Sequence, residues 1–397
     1  MTPHRSMAGL TLVEMMIALT ISLIVMAAVS LIFANSKKAY EVQDKLARVQ
    51  ENGRFAMNFL IHDIRMAGYM GCPGRLTGEA LIPENSTATS EINSTFRSTL
   101  SSVIPVASSG KTVTDIPLPY RFDIAIEGFE GDTGSPAMTT WPSGSNDLPT
   151  PRKTDTDMVA VRMVDPTSQL FLASKMASPF ADIEVTSTGD YKKDDIAMIT
   201  DCESTSIMQI TDVQTGAPKK LVHSIGGTSP GNFSKTLAKA YGEKTGTSGS
   251  LPEGELRAVK IFKYAMRRYF IRDNSNGIPS LYRDTNGGVA EELVEGIEEL
   301  QVLYGVDTDN NSVPDRYFKA NQIATTIDWQ KVVSVRIGVL ARTPSTADAD
   351  TDRNTYDVNG KSVTPCPALP AACTDRNQRR VFMSTIQLRN FKLPLSS

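Results

Sequence analysis

The chain opens with a short polar stretch, MTPHRSMAG, followed by an apolar run from Leu10 to Phe33 that a single carboxylate, Glu14, interrupts in its opening turn. From Met15 to Ser36 no residue is charged. At a helical rise of ~1.5 Å per residue this segment spans roughly 33 Å, about the hydrocarbon thickness of a bilayer. Beyond it the pattern becomes amphipathic. Val42, Leu46, Val49, Gly53, Ala56, Leu60 and Ile64 recur at spacings of three or four and draw one apolar stripe on a helix reaching about Ala67. Neither Pro nor Gly interrupts residues 10 to 52. The pattern therefore predicts one rod of about 55 to 60 residues, roughly 80 to 90 Å long. AGYMGCPG at 67 to 74 ends it, with Gly68 as the C-terminal punctuation and Pro73 preventing continuation.

After the rod the periodicity turns to strands. Candidates are 120–129, 157–164, 195–201, 206–213, 259–273, 279–284, 300–306, 332–342 and 380–390. Asn276-Gly277 sits where a tight hairpin needs positive φ, and AEELVEGIEEL at 290–300 reads as a short helix. Residues 83–118, 131–156 and 226–254, rich in Ser, Thr, Gly, Pro and Asn, read as long surface loops. The expected class is α+β, a long helical stalk packed on a β-rich head with antiparallel sheet and long loops. Its parts are 1–9 as a leader, 10–36 as the membrane half of the helix, 37–68 as the amphipathic half and 69–397 as the head.

A carboxylate at the depth of Glu14 costs roughly 2.5 to 3.5 kcal/mol on insertion scales, so it calls for a reason. A secretory signal ending near FANS has too long an apolar core and no use for the acid. A plain membrane anchor leaves it equally unexplained. Cleavage between Gly9 and Leu10 would create an α-amine four residues ahead of Glu14, at the same depth, and each charge would largely cancel the other. The pair forms either within one subunit or between axially offset neighbours. Arg5 and the lack of any acid before the run leave the N-terminus cytoplasmic and the head outside.

Composition narrows the rest. With 40% hydrophobic and 21% charged residues in 397, the head can bury a core. A formal charge of −3 makes no global case for nucleic acid, and Arg267, Arg268 and DRNQRR at 375–380 read as solvated faces. Four cysteines, Cys72, Cys202, Cys366 and Cys373, show no CxxC spacing and are disulfide candidates if the head leaves the cytoplasm. Cys366 with Cys373 closes a short loop and leaves Cys72 with Cys202, one of three connectivities, four free thiols being the alternative. GTSPG at 227–231 matches the nucleophile-elbow expression, but Pro230 has no N–H for an oxyanion hole. Three histidines, His4, His62 and His223, give little material for a catalytic or metal constellation, so an enzyme is not expected.

In DTDNNSVPD, Asp307, Asp309, Asn311 and Asp315 stand at positions one, three, five and nine of an EF-hand-like loop, with the Val313 carbonyl at seven. Ser312 replaces the turn glycine and Phe318 the bidentate Glu. Weak calcium binding and a plain Asp/Asn turn both fit this stretch.

G-LTLVEMMIAL at 9–19 resembles the class III signal of type IV pilins and pseudopilins. The resemblance implies a dedicated peptidase that cuts after Gly9 and methylates Leu10, where phenylalanine is commoner, and it makes Glu14 the assembly carboxylate. Segments 47–72, 201–211, 293–310, 329–342 and 384–390 resemble, in the same order, the PilW minor pilins. That family implies a low-abundance subunit of a priming complex at the pilus tip. Its partners would be other minor and major pilins, the prepilin peptidase, the inner-membrane assembly platform and a tip adhesin. It would reside in the inner membrane before assembly and in the fibre afterwards. The rival readings are a J-type minor pseudopilin of type II secretion, and a tip adhesin or DNA-binding pilin.

Overall fold

A computed structural model of the protein describes residues 11–71, 96–100, 122, 124–131, 153–228, 230–242, 256, 258–323, 329–344, 351–366, 373 and 375–390. Helix α1, Leu12–Met66, is a single 55-residue rod as its uninterrupted pattern predicts. Ala67 caps it, and Gly68 leaves in the left-handed region at φ +74°. Every side chain from Thr11 to Glu41 is exposed, whereas Val49, Gly53, Ala56, Met57, Leu60, Asp63 and Ile64 are buried in the head.

The head holds two main sheets. The larger contains β1 (Phe96–Ser98), β2 (Ile126–Phe129), β3 (Met158–Phe171), β5 (Ile196–Thr200), β6 (Thr205–Gln209), β9 (Lys260–Asp273), β10 (Pro279–Thr285) and β11 (Glu291–Glu295). Its path runs β1-β6-β5-β9-β10-β11, with β3 also on β9 and β2 on β3; only the β1–β6 pairing is parallel. The second sheet is antiparallel in the order β13 (Arg316–Phe318), β12 (Ile297–Val306), β14 (Val332–Arg342), β17 (Arg379–Gln387). A hairpin, β15 (Tyr356–Val358) with β16 (Lys361–Val363), touches β14 and β17. A small sheet, β4 (Ile183–Glu184), β8 (Lys220–Val222) and β7 (Asp212–Gln214), belongs to a side lobe.

Both faces of the larger sheet are buried. Val159, Val161, Tyr269, Ile271 and Leu281 join α1 and the inward residues of the second sheet in one core, while Ala160, Val164, Tyr264, Met266 and Phe270 build another behind it. This two-sided burial explains why DMVAVRMV shows no polar alternation. The helix meets the second sheet at Gly53, where the Phe382 ring occupies the space a Cβ would need.

Two local expectations change. Residues 290–300 form no helix: β11 and β12 lie in different sheets, and Gly296 at φ +80° turns the corner between them. Gly296 N–H donates to the Pro279 carbonyl and its own carbonyl accepts from Arg342. At Asn276-Gly277 only the glycine has positive φ, at +72°. Its N–H donates to the Asn274 carbonyl, so the hairpin uses a three-residue-type turn with a left-handed glycine rather than two left-handed residues. Of the strand expected over 120–129, the last four residues form β2, Phe122, Ile124 and Ala125 do not, and residues 120, 121 and 123 lie outside the described residues, as does much of the three expected loops.

These two glycines separate strain from crowding. A Cβ at Gly296 would lie 2.6 Å from the Arg342 carbonyl oxygen, whereas one at Gly277 would meet nothing within 4 Å. Gly277→Ala should therefore lose about 1 kcal/mol and Gly296→Ala about 2 to 4 kcal/mol. Denaturant midpoints of the purified protein check the difference; equal losses would mean that the sheet corner is not sterically closed.

Candidate functional site: the stalk and its seat on the head

The helix begins with a capping box. Thr11 N–H and Thr11 Oγ1 each lie 2.9 Å from Glu14 Oε2, and Glu14 N–H donates to Thr11 Oγ1 at 3.4 Å. The first N–H groups of a helix have no partner inside it, and lipid offers none. Glu14 thus serves the chain start even before a counter-ion is considered. Thr-x-x-Glu ahead of an apolar run is the sequence signal of such a box, independent of the charge on Glu14. Gly9 and Leu10 lie outside the described residues. Along the next two turns and beyond, Leu12, Leu23, Ile24, Met26 and Phe33 expose two thirds or more of their surface, a face that water does not solvate favourably.

At its other end the helix is clamped by charge. Asp63, 2% exposed, accepts from Arg267 Nη1 at 2.8 Å and from the Tyr269 hydroxyl at 2.5 Å, both on β9, while Arg267 Nη2 reaches Asp165 on β3 at 3.2 Å. Burial, then the Asp63 carboxylate, holds the Tyr269 hydroxyl well above its usual range, so it remains a donor. His62 projects outward, its Nδ1 3.0 Å from Asp63 Oδ1. Asp63 sits between two apolar stripe positions and the periodicity did not single it out.

The basic clusters are only partly solvated faces: Arg376 and Arg380 are exposed, but three other guanidinium groups turn inward. Arg267 serves the clamp, Arg268 is 3% exposed and pairs with Asp284 at 2.9 Å, and Arg379 holds Glu298, Asp352 and Asp375 at 2.6, 3.0 and 2.6 Å. On β17 alternation turns Arg379 inward and Arg380 outward, whereas on β9 the consecutive Arg267 and Arg268 both find cover because both faces of that sheet are buried.

Carboxylate oxygens of Asp307, Asp309 and Asp315 all lie within 4.8 Å of one another. Asp307 is buried and accepts from the N–H groups of Asn311 and Ser312, and the Asn311 side-chain oxygen accepts from Val313 N–H at 2.7 Å, turned into the loop. Ser312, at the turn-glycine position, has φ +67°. The Thr308 hydroxyl and N–H hold the Asp315 carboxyl below its usual range. Cys366 and Cys373 form a disulfide; Cys202 is also disulfide-bonded, and Cys72 lies outside the described residues. Ser229 of GTSPG lies outside them too, and His223 is fully buried with Nε2 3.0 Å from the Lys235 carbonyl oxygen.

Residues 4–30 match the family model described as the prokaryotic N-terminal methylation motif. That motif covers the start of the long helix, so the chain is similar to type IV pilin-like proteins at its N-terminus. Residues 268–390, from late β9 through β17, match the family described as PilW, type IV pilus-assembly protein W. Among solved structures the chain is similar to a type IV-like pilin from Thermus thermophilus, at 18% identity over 33% of this chain and 67% of that one, with a TM-score of 0.20. No curated protein matches the sequence.

Removing the clamp's carboxylate strands the Arg267 guanidinium and the Tyr269 hydroxyl. Asp63→Ala should lose about 3 kcal/mol of stability, with Asp63→Asn losing less because it keeps an acceptor. Unfolding midpoints check this, and a loss under ~0.5 kcal/mol for the alanine variant would show that apolar packing alone seats the helix.

Proposed function

We propose that the protein is a minor pilin that joins other minor pilins in a priming complex at the tip of a type IV pilus. The supporting observation is a helix whose described residues to Glu41 bury nothing, on the same rod as a stripe locked into a head by Asp63. An apolar surface of that size needs lipid or neighbouring helices, and the chain would move from one to the other: anchored in the inner membrane, then drawn into a fibre. Cleavage after Gly9 would put the methylated amine of Leu10 beside Glu14. The Glu14 carboxylate, held by Thr11 in the single subunit, would then meet that amine or the amine of a neighbour. A head of this size is awkward to stack repeatedly in a thin filament, which supports a rare tip position over that of a major subunit.

A second reading concerns the loop at 307–315, where three converging carboxylates favour a weak divalent-cation site. It is independent of the assembly role.

Mass spectrometry of the mature protein should show a start at Leu10. Glu14→Ala should leave that cleavage intact while reducing recovery of the protein in sheared pili, and normal recovery would remove the charge-pairing account. Capture of other minor pilins by the intact protein supports the priming role, whereas capture of type II secretion pseudopilins instead would move it to the J-type reading. For the loop, calcium should raise the wild-type melting temperature more than that of Asp309→Ala; equal shifts would dispose of the cation.

A further inference from the structure

Four acids lie inside the head where its two main sheets meet. Glu127 is on β2, Glu130 follows it, Asp157 precedes β3 and Glu299 is on β12; none is more than 5% exposed. Three have a cation at hand: Arg162 lies 2.7 Å from Glu127, Lys319 3.0 Å from Glu130 and Lys361 3.2 Å from Glu299. Asp157 has none among the described residues. Its Oδ1 accepts from Gly131 N–H at 2.9 Å and its Oδ2 from Val302 N–H at 2.8 Å, while its own N–H donates to the Leu300 carbonyl at 2.9 Å. One side chain therefore ties the end of β2 to the middle of β12. On β12 the wholly buried Tyr304 hydroxyl, pressed against Gly128, has no hydrogen-bond partner among the described residues.

Lys319 and Lys361 reach partly into solvent, and Lys153, four residues before Asp157, turns to Glu298 at 3.9 Å, which leaves Asp157 the buried acid of the four with no cation beside it among the described residues. An uncompensated buried charge is expensive, and a group so placed neutralises instead. We propose that Asp157 carries a proton through neutral pH and that losing this proton loosens the seam between the two sheets.

The groups facing Asp157 agree with this assignment. Burial, then the Glu130 carboxylate, pushes its acid up to about 8, against the pull of the two amide donors; Glu299 adds to the rise. A carboxyl raised in the fold above its unfolded value of ~3.9 adds stability that is complete below that value and is lost as pH rises through about 8. Glu130, Glu299 and the Tyr304 hydroxyl lie within electrostatic reach of Asp157. His223, in the side lobe, acts on the opposite limb. Burial and then Lys235 hold it down to about 4, so its contribution is lost as pH falls from its usual value toward that figure. The two limbs do not overlap above neutrality.

Infrared difference spectra of the full chain in detergent, titrated upward from about pH 6, test the proton directly. The carbonyl stretch of a protonated carboxylic acid should disappear with rising pH in the wild type and be missing from Asp157→Asn. Over the same range, exchange of the Gly131 and Val302 amide hydrogens, corrected for its intrinsic pH dependence, should speed by at least about tenfold. If Asp157→Asn does not fold, Glu130→Gln substitutes for it: removing the neighbouring charge should lower the midpoint of the same band. The proposal is overturned by a wild type without a titrating acid band, by a band that survives in Asp157→Asn, or by a midpoint that Glu130→Gln leaves unmoved.

Discussion

One helix has to satisfy two surroundings, and the rest of the molecule follows from that. Over its first half it presents side chains that no part of the described head covers; over its second half it surrenders one stripe to a β core. Apolar packing alone would let such a rod slide or rotate by a turn on a sheet of Val, Ile and Leu, because those contacts are not directional. The Asp63 carboxylate, bonded to Arg267 and Tyr269 at defined distances, removes that freedom. A buried pair of this sort is weak evidence for stability but an effective register device.

The head answers the same demand by having two sheets rather than one. Its larger sheet is buried on both faces, which lets β9 run for 14 residues through two cores and tie the side lobe to the helix seat. Gly296 passes the chain from that sheet to the second within a single residue. The segment similar to the PilW family begins late in β9 and ends just past β17, so it contains this corner and the strands that receive the helix. The side lobe, with its own small sheet, precedes it in the chain.

How much of this could be read in advance depended on whether the determinant was local. The rod was legible because one residue type after another obeys a single period without Pro or Gly, and seven of the nine expected strands appear in full or nearly so, while the stretch expected at 206–213 divides between β6 and β7 of two different sheets. The 290–300 segment misled because its acids and leucines satisfy a helical spacing; its outcome rests on Gly296 meeting the Arg342 carbonyl from a distant strand. Arg268 and Arg379 looked like surface charge for a related reason, since their carboxylate partners Asp284, Glu298 and Asp352 come from elsewhere in the chain. At the helix start Glu14 was singled out as a buried charge, and its link to Thr11 was missed although the spacing announces it. Short strands such as β4, β8 and β13 carry too few residues for any period to show.

The contact between Gly53 and Phe382 recurs in another form twelve residues on, where Asn390 donates to the carbonyl oxygens of Arg65 and Ala67. Helix α1 and strand β17 therefore travel side by side in the same direction. Tension along the rod enters the head as shear shared among all the contacts of that strip, instead of peeling them open one after another from an end. A glycine that admits an aromatic ring and an asparagine that closes the far end make the attachment suited to a mechanical load.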